Sequence, residues 1–140
     1  MEQIEEKCVL VLHEALPLGV AANTAAILGV TLGKQCPHIA GPAVADAEGC
    51  EHLGIVQIPI PVLRASGERL LQLRQALYQQ EYGDLTVVDF QDLAQSCHTY
   101  DQYILRMAGT PGSALHYFGL ALCGDKRKVN RLTGSLPLLR

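Results

Sequence analysis

The sequence predicts an α/β fold: a three-layer α/β/α sandwich around a four-stranded, mostly parallel (mixed) sheet, in one domain over residues 1–140. Two observations predict it. Short apolar runs of strand length alternate with segments of helical period along the chain. Such alternation gives helices on both faces of a sheet, joined by right-handed crossovers. The composition, 49% hydrophobic and 18% charged, is that of a globular chain able to bury a core without staples.

Cys8–Leu12 is a continuous apolar run, the pattern of a strand covered on both faces. Leu16-Pro17-Leu18-Gly19 forms a turn, and Val20–Leu32 is helical and apolar all round, hence buried. Gly33 and Lys34 close that helix, lysine suiting the negative end of its dipole. Pro37, Gly41, Pro42 and Gly49 punctuate a long loop over Gln35–Leu53, with a turn at Asp46–Gly49. A loop of this length suggests function. Ile55–Ile60 is the second strand, which lies at an edge or stops pairing at the prolines because Pro59 and Pro61 cannot donate to a ladder.

Ser66 caps a helix from Gly67 to about Gln80, with Leu70, Leu73 and Leu77 on one face. Gly83-Asp84 turns the chain into a third strand, Leu85–Phe90. Leu93, Cys97, Tyr100, Ile104 and Met107 form a helical stripe, broken near Ser96–Thr99. Gly109–Ser113 is a loop and Tyr117–Cys123 the fourth strand. Asp125 caps a last helix through Thr133, closed by Gly134, and the tail Leu136–Leu139 packs back on the body.

The net charge of -3 and pI of about 5.9 lack the basic field of a general nucleic-acid binder. The five cysteines are odd in number and form no C-x-x-C pair, and the opening MEQIEEK is acidic, so a reduced, cytoplasmic chain without a signal peptide is expected. Ala15–Gly33 carries no charge, but its Pro17, Asn23, Thr24 and three glycines read as a turn and short helix, so no membrane partner is expected.

LPLGVAANTAAIL and VNRLTGSLPLLR, with IPIPVL, LTVVDF and YFGLALCGDK between them, resemble the bacterial domain-of-unknown-function 2000 family in order over nearly the whole chain. That family is similar in turn to the type II peptidyl-tRNA hydrolases. Ala21-Ala22-Asn23 stands where those enzymes carry Ala-Ala-Gln, and Val129 with Leu132-Thr133-Gly134 and Leu136 resembles their close. The resemblance implies a peptidyl-tRNA hydrolase II-like sandwich. It also implies an acidic residue after the third strand, which Asp89 or Asp92 would match, and tRNA as the one nucleic-acid partner. The turn Leu18-Gly19-Val20 lacks the lysine of those enzymes, and Asn23 replaces glutamine.

The residues themselves place a site at the junction of the first strand and first helix. There free N–H groups, with Gly19, the Asn23 amide and the Thr24 hydroxyl, would hold a small polar or anionic molecule. Asp89, at the carboxyl end of a strand, faces the ligand crevice of an open α/β sheet and would act as base or amine anchor. Lys126, Arg127 and Lys128 oppose the dipole of the helix they open, which a bound anion would explain. Asn23 and Asp89 are thus candidate catalytic residues of an amide or ester hydrolase. Gly19, Asn23, Thr24, Lys126, Arg127 and Lys128 are candidate ligand-binding residues. A third expectation is a homodimer through the edge strand or the tail. Cys36/His38, Cys50/His52 and Cys97/His98 match no common zinc spacing, so no metal is expected. No cofactor is expected either, since no phosphate-binding glycine loop or dinucleotide fingerprint is present.

Overall fold

The computed structural model describes residues 5–140. Part of the acidic opening, residues 1–4, lies outside them. The chain runs β1 (Glu6–His13), α1 (Leu18–Gln35), β2 (Val44–Ala45), β3 (Glu51–His52), β4 (Val62–Ala65), α2 (Gly67–Ala76), β5 (Thr86–Gln91), α3 (Asp92–Ser96), α4 (Tyr100–Ala108), β6 (Tyr117–Asp125) and α5 (Lys126–Thr133).

The main sheet has the order β4-β1-β6-β5. Only β1 and β4 pair in parallel; β6 runs antiparallel to both of its neighbours. The expectation of a mostly parallel sheet therefore holds for strand direction, with β1, β4 and β5 aligned, but not for the ladders. The reason is topological: the reversed strand is inserted between β1 and β5. Strand–helix alternation carries no information on where the last strand inserts.

β1 is apolar throughout because both its faces are covered. Cys8, Leu10 and Leu12 join Leu28 and Leu32 of α1 on one face; Val9 and Val11 join Leu70 and Leu73 of α2 and Val129 of α5 on the other. α1 is not buried all round as its composition suggests. Only Ala21, Thr24, Leu28 and Leu32 are buried, while Leu18 and Val30 are 88% and 75% exposed. One sheet covers one stripe of a helix, and alanines and glycines fill much of the rest. Gly119 of β6 sets the approach of α1. A Cβ there would stand 2.8 Å from Leu12, 3.0 Å from Leu28 and 3.1 Å from Thr24.

The predicted strand Ile55–Ile60 is not a ladder strand. Val56 bridges Ala40 within an exposed arm that also carries the β2–β3 hairpin. The turn expected at Asp46–Gly49 is present and joins the two strands of a hairpin that the loop reading did not include: Asp46 accepts from the N–H groups of Glu48 and Cys50, and Gly49 takes φ +83. The sheet strand starts beyond the prolines. Pro61 contributes only an acceptor, to Leu10 N–H at 3.0 Å, and β4 follows. The tail packs back as expected and runs along the outer edge of β4. Arg64 N–H donates to Pro137 O at 2.9 Å and Leu139 N–H to Val62 O at 2.8 Å.

Ser66, Thr99 and Asp125 cap α2, α4 and α5, each side chain accepting a backbone N–H of the first turn. Among the described residues no helix is long and apolar enough to cross a membrane.

Candidate functional site

β5 is β-branched and pairs with β6 along one edge. Beyond its other edge lies a cavity of about 540 Å³. Its floor is Val87, Val88, Asp89 and Phe90. Ile27 and Thr31 of α1 form one wall; Ala94, the Cys97–Thr99 connection, Tyr100 and Tyr103 form the other. Successive side chains of a strand point to opposite faces. Four consecutive residues can line one hollow only where it runs along the edge of the strand and takes in its backbone.

Asp89 sits at this hollow in a polar cluster on the α2 side of the sheet. Its Oδ2 accepts from Arg74 Nε at 2.7 Å, and its Oδ1 accepts from the Gln91 carboxamide. Both partners of the ion pair are largely buried, with side chains 12% and 19% exposed. The Arg74 guanidinium lies 3.9 Å over the Tyr78 ring, a cation–π contact that fixes its plane. Gln91 is fully buried, and its Oε1 has no hydrogen-bond partner among the described residues. Burial, and then the Asp89 charge, raise the Tyr103 phenol and push Tyr117 up to about 12, so both hydroxyls stay protonated donors.

The sequence-derived site is not assembled. Gly19 and Asn23 are exposed on the first turns of α1. Thr24 is fully buried against Gly119, its Oγ1 without a hydrogen-bond partner among the described residues, and serves packing. None of the three lines the β5 cavity. Asp89 pairs with α2, across the sheet from Thr24, because strand alternation puts Val88 and Phe90, not Asp89, on the α1 face. Asn23 and Asp89 therefore do not converge as polariser and base, and both Asp89 oxygens are engaged.

The basic run is separated further. Asp125 pairs with Glu6 at the start of β1, whereas Gly19 and Asn23 follow its end, so α5 opens at the opposite end of the sheet. Local carboxylates account for two of its three cations. Lys126 reaches Glu5 at 3.1 Å, and Lys128 reaches Asp84 at 2.8 Å and the Glu81 carbonyl at 2.7 Å. Asp92 is exposed on the first turn of α3, leaving Asp89 as the acidic residue of the interior. His38 and His52 pair with Glu6 and Asp46, and among the described residues no group of three His, Cys, Asp or Glu could hold a metal.

Ile27, Thr31, Tyr103, Arg74 and Gln91 escaped sequence reasoning. The stripe holding Tyr100 and Ile104 signalled α4, but these two are 74% and 54% exposed, while Leu93 and Met107 pack on the core.

Residues 6–140 match the family described as "Protein of unknown function (DUF2000)". The chain belongs to the DUF2000 family. A solved structure of a protein of unknown function from Agrobacterium is similar to it, with a TM-score of 0.85 at 19% identity, over 97% of this chain and 98% of that one. At that identity the likeness shows a shared fold. No curated protein matches the chain. The hydrolase resemblance of this DUF2000 domain rests on its motifs alone.

Proposed function

We propose that this DUF2000 domain is a binding domain whose ligand seats in the hollow along β5. The observation that carries the reading is the floor itself: four consecutive residues of an edge strand, paired with β6 on one side only among the described residues and walled by α1 and α4 on the other. The enclosure is of the size and mixed polarity typical of ligand sites. Among the described residues no lysine or arginine lines it, and the one carboxylate there is already paired with Arg74. This favours an uncharged ligand over the anion suggested by the basic run of α5. Tyr103 and Thr31 supply hydroxyls that would orient it.

A fragment library screened by two-dimensional NMR tests this. Binders should shift the amides of Val87–Phe90 together with those of Ile27 and Thr31. Binders that instead map to Gly19–Thr24, or a screen without binders, would refute the reading.

A further inference from the structure

Resting on the reading of the β5 hollow as a binding site, we infer that its occupant is an extended peptide segment that adds to β5 as a fifth strand. In an antiparallel ladder alternate residues turn N–H and C=O toward the partner strand, and those between turn theirs outward. On β5 the outward groups face the hollow, where only a ligand with matching donors and acceptors at strand spacing satisfies several at once.

The same sheet displays this mode of addition at its other end. There the tail lies along β4, with two backbone hydrogen bonds and a bridge between Leu63 and Leu138. β5 has no such cover among the described residues and few of the usual protections of an open edge. It carries no proline and no lysine, and its one charge is tied to Arg74. The register shift at Phe90/Gln91 limits the regular edge to Thr86–Phe90.

The walls decide which occupant fits. A floor of four residues is about 13 Å long. A free-standing dimer interface needs about 800 Å² from each partner. A second copy, moreover, would bring its own α1 and α4 walls to the same edge. A single peptide strand enters without that conflict. Its alternate side chains would meet Ile27, Val88 and Phe90 on one side and Tyr100 and Tyr103 on the other. Aliphatic residues suit the first side, and the absence of lysine and arginine from the lining selects against acidic ones.

The test pans a phage-displayed library of short random linear peptides on the full chain. Ile27→Trp and Thr31→Trp, which fill the slot from a partly exposed helix face, serve as counter-screens. The enriched peptide is then synthesised with single backbone N-methyl groups. Methylation at every second residue should weaken binding about tenfold, and the intervening positions less than about twofold. Both tryptophan variants should abolish binding. Absence of enrichment over the variants, or equal tolerance of N-methylation in both registers, would overturn the inference. A dimer of the unmodified chain that dissociates in Ile27→Trp would also overturn it, since the occupant would be a second copy. Fragments seated in the hollow without any peptide would leave the site and remove the peptide; loss of both would remove both.

Discussion

The two edges of the sheet solve the same problem differently. β4 is closed by the chain's own tail, whereas β5 borders a hollow between two helices. Unpaired strand edges invite association, and proteins ordinarily cover, charge or distort them. Here one edge is covered intramolecularly. The other carries a distortion only at its Gln91 end, beside a buried ion pair. A closed edge contributes stability; an open edge held between walls leaves room for a partner.

The largest expected effect comes from breaking the closed edge. Truncation after Gly134 removes both tail hydrogen bonds and the half-buried Leu136 and Leu139. It should cost about 4 kcal/mol in urea denaturation. The truncated chain should also self-associate in sedimentation, since β4 then becomes a second unpaired edge. A monomer of unchanged stability would show that the tail does not protect β4.

At the open edge, Arg74→Ala strands a largely buried carboxylate and should cost about 3 kcal/mol. Pairing it with Asp89→Leu should recover much of that loss, because no unpaired charge remains. A double variant no better than Arg74→Ala would mean that Arg74 acts by packing on Tyr78.

Gly119→Ala tests the wall. The new Cβ would press on Leu12, Leu28 and Thr24, pushing α1 outward at a cost of about 2 kcal/mol. The same displacement widens the slot, so the fragment shifts at Ile27 and Thr31 should weaken with it.

Alkaline denaturation gives a shallower signal. Burial raises the thiols of Cys8 and Cys123, whose sulfurs lie 2.8 Å apart across β1 and β6, and the phenols of Tyr103 and Tyr117. The unfolded chain ionises these groups near their ordinary values of 9.0 and 10.0, while the native state holds their protons to higher pH. Stability present below about pH 9 should therefore fall as pH rises toward 12. Cys123→Ala should flatten that fall. Of the five thiols, exposed Cys50 should alkylate first.

Much of the fold was legible because its signals are local. Ser66 and Asp125 announce caps, Asp46–Gly49 a turn, and Cys8–Leu12 a strand buried on both faces. What escaped depends on distant partners. Nothing near β6 indicates that it inserts between β1 and β5. That insertion decides which ladders are parallel and separates Asn23 from Asp89. The strand at Ile55–Ile60 was misplaced because exposed Ile55 and Val56 read like buried residues, and Ile58 and Ile60 pack on the core without joining a ladder; the prolines marked the true boundary. The hollow was illegible because its floor is backbone and its walls come from segments some seventy residues apart, such as Thr31 and Tyr100. Lys126 and Lys128 oppose a helix dipole and look like an anion site until Glu5 and Asp84 fold against them.

The smallest effect separates the junction that the sequence nominated from the edge that the fold presents. Asn23 is exposed and its side chain has no hydrogen-bond partner among the described residues, so Asn23→Ala should change stability by less than about 0.5 kcal/mol. It should leave binding in the β5 hollow intact, because Asn23 does not line it. Tyr103→Phe removes only a hydroxyl, from a residue on the wall, and should weaken ligands without unfolding the chain. If binding were lost in Asn23→Ala and kept in Tyr103→Phe, the free N–H groups at the start of α1 would regain their place as the site. The β5 edge would then be an accident of a small sheet. The opposite pattern would mean that the open edge is where this chain meets its ligand.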